Sequence, residues 1–218
     1  MEKAKLLYFY DPLCGWCFGF SPVIKSLEQE FNEQIDFEAM SGGMVLGERV
    51  KPLSEMKEYL KEAIPRLEQM TGVKFGKPYL EILEEGSLML NSELPCIAMT
   101  VFKSVSNKSN IEFASALQST LYEKGINLNE IENYKTLVEN FDLPWEVFKS
   151  KMENSTYKEK TYQEFQLGQK MGISGFPSVV LSIGNQGYLI ARGYRPEHEM
   201  KAVIEEILAK EPLPSKSD

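Results

Sequence analysis

The sequence predicts an α/β protein in which a βαβ unit at one end and a ββα unit at the other enclose a long, all-helical stretch. Three observations carry this. An apolar run, Leu6-Leu7-Tyr8-Phe9-Tyr10, passes through Cys14-Gly15-Trp16-Cys17 into apolar residues spaced three and four apart, and then into a period-two segment at Ile35 to Met40. From about Met44 to Met171 the helical period prevails almost throughout. After Gly172 β-branched residues take over again.

Each element has its own signature. Lys5 to Tyr10 reads as a buried strand. The helix after it carries Cys17, Phe20, Ile24, Leu27 and Phe31 on one face. Pro22 is expected to kink it, because the ring lacks a backbone donor and crowds the preceding turn. Ile35-Asp36-Phe37-Glu38-Ala39-Met40 alternates and stops at the turn-forming Ser41-Gly42-Gly43. Strand, helix and strand in that order make a βαβ unit with a parallel pair. In the middle, Leu53, Met56, Leu60, Ile64, Leu67 and Met70 form one stripe, and Phe113, Leu117, Thr120 and Leu121 belong to another. Ser92, Asn129 and Ser155 are expected N-caps, and Gly172 a C-terminal cap. Ser178 to Ile183 and Tyr188 to Ala191 make a hairpin around Gly184-Asn185-Gln186-Gly187. A closing helix from Pro196 to Lys210 sets Met200, Val203, Ile204, Ile207 and Leu208 on one face, and the Pro- and Ser-containing tail is expected to fray. The expected organisation is one domain made of 1–43 and 172–218, interrupted by an inserted helical domain, 44–171.

With 218 residues, 43% hydrophobic and 26% charged, the composition is that of an ordinary globular protein. A net charge of -8 repels a phosphate backbone, and no basic run offsets it, so nucleic acid is not an expected partner. The apolar stretch after Met1-Glu2-Lys3-Ala4-Lys5 is too short for a signal peptide or a membrane span, so a cytoplasmic location is expected. In a reducing compartment two close cysteines are seldom a structural staple, which favours catalysis or metal binding.

Strand, then CxxC, then helix is where a thioredoxin-like fold keeps its redox dithiol. A spacing of three puts Cys14 and Cys17 on one side of a turn, within reach of a disulfide. Cys14 is expected at the helix N-terminus, exposed, where unpaired amides favour a thiolate; Cys17, one turn in and on the apolar stripe, is expected to be shielded. That asymmetry makes Cys14 the nucleophile and Cys17 the resolving thiol. Zinc is a weak alternative, since the chain offers only Cys96 and His198 as further cysteine or histidine ligands, and no metal site is expected.

Asp11-Pro12-Leu13-Cys14-Gly15-Trp16-Cys17-Phe18-Gly19-Phe20, Pro22, the helix entry from Asn91 to Cys96, and Gly175-Phe176-Pro177 together resemble the DsbA family of the thioredoxin superfamily, in its FrnE-like cytoplasmic branch. The resemblance spans nearly the whole chain, because a helical insertion between thioredoxin halves is that family's layout. It implies a thiol-disulfide oxidoreductase acting on protein or peptide disulfides. It implies no organic cofactor, with glutathione or a thioredoxin system as redox partner. It also implies a cis Pro177 facing the dithiol, with the Phe176 backbone available to an extended substrate. Gly15 and Trp16 would then contact substrate beside the cysteines. No His stands between the cysteines, so strong oxidising power does not follow. Two rivals share the fold: glutathione transferases of the kappa type with the 2-hydroxychromene-2-carboxylate isomerases, against which a complete CxxC argues, and a non-enzymatic adaptor or redox sensor.

Other residues have plainer readings. Cys96 reads as a small buried hydrophobe, or else as a third redox thiol. His198, in Pro196-Glu197-His198-Glu199, reads as a surface residue. Asp11 starts the turn before the CxxC or accepts a proton from Cys17, with the turn favoured. Met40, Met44, Met56, Met70, Met89 and Met99 read mostly as core, some of them lining a groove beside the dithiol. Tyr8, Phe9, Tyr10, Phe18 and Phe20 read as packing, with Phe18 the one expected at the active-site surface.

Overall fold

The computed structural model describes residues 3–210. Strand β1 (Ala4–Tyr10), helix α1 (Gly15–Phe31) and strand β2 (Ile35–Ser41) form the N-terminal βαβ unit. β1 and β2 are parallel, in register from Ala4 opposite Ile35 to Tyr10 opposite Ser41. At the other end, β5 (Ser178–Ile183) and β6 (Gln186–Arg192) make the hairpin and α9 (Glu197–Lys210) closes the chain. The four strands join in one sheet of order β2-β1-β5-β6, with β5 antiparallel to both neighbours. The fold is thioredoxin-like, with its halves drawn from the two ends of the chain.

Alternation along β1 divides the side chains. Leu6, Tyr8 and Tyr10 enter the main core, whereas Phe9 joins Met40 and Val180 in a smaller cluster. Phe20 of α1 meets Tyr8 at 5.8 Å between ring centroids. Pro22 stands inside α1, which runs on to Phe31. Met200 and Ile204 bury α9, and His198 is exposed, as expected.

Between the halves lie α2 (Lys57–Thr71), α3 (Lys77–Glu85), α4 (Glu93–Val105), α5 (Asn110–Tyr122), α6 (Lys135–Glu139), α7 (Trp145–Met152) and α8 (Ser155–Lys170). A ribbon of β3 (Lys51–Pro52) and β4 (Met89–Leu90) interrupts this helical stretch. Two residues per strand are too few to show alternation, which is why the sequence reads as helical there. The predicted caps need correction. Ser92 occupies the N-cap of α4, but its hydroxyl turns away to Asp11 and Val45. Asn129 caps no helix and bonds the Met89 carbonyl instead. Ser155 is already helical, and Asn154 is the cap, accepting from the Thr156 amide. Gly172, with φ of 74°, follows α8 as expected. The hairpin turn is shorter than predicted, since β6 begins at Gln186. The Pro- and Ser-containing tail lies outside the described residues.

The inserted helices hold the sheet edge at β2. Ala39 donates its amide to Asn110, and its carbonyl accepts from Lys103; the Ser41 amide donates to Glu164. Side chains thus pair backbone groups that an edge strand otherwise leaves open. They also fix the chain just before Gly42.

Candidate active site

The turn Asp11 to Cys14 carries the chain from β1 into α1. The Asp11 carbonyl accepts from the Cys14 amide at 3.0 Å, and its carboxylate accepts from the Leu13 amide at 2.9 Å, so Asp11 does start the turn. It does more. The same carboxylate accepts from the Met44 amide at 2.6 Å and the Ser92 hydroxyl at 2.8 Å, tying the dithiol turn to the inserted helices. Asp11 is fully buried, and burial raises its carboxyl above the ordinary value, against the opposing pull of Met44, Leu13, Ser92 and Arg49.

Cys14 is the N-cap residue of α1, and its carbonyl accepts from the amides of Cys17 and Phe18. Its sulfur makes no capping bond to the helix; it donates to the Phe176 carbonyl at 3.6 Å. The Phe176–Pro177 peptide is cis. The expected exposure of Cys14 is wrong, however: the residue is only 6% exposed and meets the outside through a cavity. α2 forms a wall of that cavity, and a β-carbon on Gly15 would make ordinary contact with Leu67 at 3.4 Å. Cys17 is completely buried, and burial together with the Cys14 side chain pushes its thiol well up. Both cysteines are free thiols.

The cavity has a volume of 330 Å³. Gly15 and Trp16 line it beside Cys14, with Met44, Met56 and the inner face of α2 opposite. Phe176 and Pro177 are not part of its lining. They meet Cys14 through the Phe176 carbonyl, while the Phe176 ring seats on Gly42, where a β-carbon would lie 2.1 Å from Cζ. Phe18 is not at the surface as expected: it is buried against Phe75 and Tyr122, whose ring centroids lie 5.3 and 5.2 Å away. Phe75 and Tyr122 reach the cavity in its place. Among the methionines, Met40 and Met99 are core, whereas Met70 and Met89 are exposed. Cys96 is fully buried, and burial, then Asp11, raises its thiol well above the ordinary value. Among the described residues no group of three His, Cys, Asp or Glu is placed to hold a metal. Among the same residues, no helix is long and apolar enough to cross a membrane.

Gly42, Arg49 and Lys51 carry no local signal in the sequence as parts of this site, and Ser92 reads there as a helix cap within the Asn91 to Cys96 entry. The stripe from Leu53 to Leu67 was legible as apolar, but its role as a cavity wall was not.

A four-stranded thioredoxin-type sheet, a CxxC pair at the start of its first helix and a cis-proline loop against the first cysteine define a dithiol protein of thioredoxin fold. The family model described as Thioredoxin matches residues 7–198, and the chain belongs to that family. A protein of Nitrosomonas europaea assigned as a disulfide isomerase is similar in structure, with a TM-score of 0.84 and 26% identity over 96% of this chain and 99% of that one. The cytosolic disulfide reductase DsbM of Pseudomonas aeruginosa follows the same fold, with a TM-score of 0.78 and 24% identity over 94% and 99%. Its glutathione complex gives a TM-score of 0.73, at 23% identity over the same shares. The ClpXP adapter protein SpxH of Bacillus subtilis is 21% identical over 222 residues, 99% of this chain and 71% of that protein.

Proposed function

We propose that the protein is a cytoplasmic thiol-disulfide oxidoreductase of the DsbA type, acting on protein or peptide disulfides. The observation that carries this is the unequal placement of two free thiols. Cys14 opens to a cavity and faces a cis-proline loop, and Cys17 is sealed behind it. Cys14 attacks one sulfur of the substrate disulfide, the other sulfur leaves as a thiolate, and a mixed disulfide forms. Cys17, held as a thiol by burial, loses its proton as it attacks the Cys14 sulfur, which releases the second substrate thiolate and leaves Cys14–Cys17 oxidised. Oxidation of a substrate dithiol is the same sequence reversed. Gly15 and Trp16 contact substrate on the cavity side, and Phe176 and Pro177 on the loop side. A small thiol, such as the glutathione present with the DsbM relative, or a thioredoxin system restores the dithiol.

Insulin reduction and refolding of scrambled ribonuclease test the reading. Wild type turns over both, Cys14→Ser falls to the uncatalysed rate, and Cys17→Ser accumulates a mixed disulfide. Equal rates for wild type and Cys14→Ser overturn it. A second reading, an adaptor that presents clients to a protease, is favoured by the similarity to SpxH. It requires client binding to survive Cys14→Ala.

A further inference from the structure

The cavity over Cys14 is unusual in its charge. The chain carries 32 acidic against 24 basic side chains, yet the charged residues among the described lining are two cations, Arg49 and Lys51. Both come from the strap between β2 and α2. Among the described residues the Arg49 guanidinium gives one hydrogen bond, to the Gly43 carbonyl at 3.2 Å, and it acts on the Asp11 carboxyl without a direct ion pair. Among the described residues Lys51 pairs with Glu55 alone, at 4.0 Å. The remaining walls are apolar or aromatic, including Leu60, Ile64 and Phe75. Burial keeps the Tyr79 and Tyr122 hydroxyls neutral.

These features describe a ligand in three parts. A volume of 330 Å³ suits a small molecule, and the walls ask for an apolar body. Two cations without a close ion pair ask for a carboxylate. Cys14 asks for sulfur. A peptide thiol with several charges and amides would leave polar groups unpaired against these walls.

We infer that the cavity is a co-substrate site for an apolar thiol bearing a carboxylate, of the aliphatic dithiol-acid type, which reduces the Cys14–Cys17 disulfide. The inference rests on the exchange reading above. One ligand thiolate attacks the Cys14 sulfur, the Cys14–Cys17 bond breaks, and Cys17 leaves as a thiolate that takes up a proton. The second ligand thiol, losing its proton, attacks the ligand's own first sulfur and closes a cyclic disulfide. Cys14 is released as a thiolate. The ligand, entering as one thiolate and one thiol, loses two electrons and one proton, and the protein pair, left as the Cys14 thiolate and the Cys17 thiol, gains them.

The test uses the full chain, oxidised at Cys14–Cys17, and follows its reduction by mass spectrometry after alkylation. The probes are dihydrolipoate, its neutral amide, glutathione, an apolar dithiol peptide and dithiothreitol. Rates are compared after normalising each to the same thiol acting on a small-molecule disulfide. Dihydrolipoate should exceed its amide by about tenfold, the gain expected of one good charge-assisted contact. Arg49→Gln with Lys51→Gln should erase that ratio, and Ala63→Trp, which fills the cavity, should slow both probes. Equal rates for acid and amide, a preference that survives loss of both cations, or a faster reaction with glutathione or the peptide overturns the inference and leaves the exchange reading standing. Failure of every thiol, dithiothreitol included, to reduce the pair sinks both.

Discussion

The edge of the Phe176 ring points at the bare Cα of Gly42, so that a β-carbon at position 42 would stand 2.1 Å from Cζ and 2.3 Å from Cε1. The carbonyl of that same Phe176 accepts the Cys14 thiol. A residue at the end of β2 thereby sets the distance between the cis-proline loop and the nucleophile. Gly42→Ala should push the ring away and carry the carbonyl with it. A displacement near 1 Å costs catalysis about 100-fold. Insulin reduction by Gly42→Ala should therefore fall steeply while its fold, followed by circular dichroism, persists. Adding Phe176→Ala removes the clash and should restore part of the loss, which a merely destabilised protein would not do.

Asp11 is a positioning residue of a different kind, because three donors converge on one buried carboxylate. Asp11→Asn turns an N–H toward the Met44 amide or the Ser92 hydroxyl and should cost about 1–3 kcal/mol in urea unfolding. The pH dependence has a defined sign. Burial raises the folded carboxyl above its ordinary 3.8, so the folded chain binds this proton more tightly than the unfolded chain. The Asp11 contribution to stability therefore declines as pH rises from 3.8 through the higher folded value, and returns on acidification. The stability difference between wild type and Asp11→Asn should widen as pH falls from 7 toward 4. A constant difference would contradict the assignment.

The three thiols should differ in reactivity. Iodoacetamide at neutral pH should modify Cys14 through the cavity, leaving Cys17 and Cys96 untouched until urea is added. Both of these are fully buried with thiols held well up, so little thiolate is available. Peptide mapping after alkylation reads this directly. Early modification of Cys96 would revive its role as a third redox thiol.

Much of this was legible beforehand, for a physical reason. The strand before Cys14, the stripe through Cys17 and the β-branched run after Pro177 are local patterns, and local patterns survive in a linear string. Gly175-Phe176-Pro177 marked the second half of the site. Relationships across the insertion were not legible. Asp11 looks like a turn residue because its Leu13 bond is local, whereas Met44 and Ser92 are brought to it only by packing. Cys14 was expected to be exposed because a helix N-terminus usually is, and nothing in the string says that it opens instead into a cavity walled by α2. Gly42 read as a turn former, although its lack of a side chain makes room for a ring 134 positions away in sequence, at Phe176.

The clamp on β2 supplies the last prediction. Lys103 is 18% exposed at its side chain and Glu164 10%, and their charged atoms lie 2.5 Å apart. Lys103 also donates to the Ala39 carbonyl at 3.0 Å and faces Glu38 at 3.5 Å, while Glu164 holds the Ser41 amide. Lys103→Met keeps the length of the side chain and leaves Glu164 buried without its cation, which should cost about 3 kcal/mol. The urea midpoint should drop accordingly, and adding Glu164→Gln should recover part of the loss by removing the stranded charge. Glu38 gives the pH signature. Burial pushes its carboxyl up, but Lys5 and Lys103 outweigh that and bring it below 4.5. Its contribution is therefore present above pH 4.5 and fades as pH falls through the lower folded value. Lys103→Met weakens that depression, so the gap in stability between wild type and variant should narrow on acidification below 4.5. Because β2 leads directly to Gly42 and the seat of Phe176, the same variant should slow insulin reduction with neither cysteine altered.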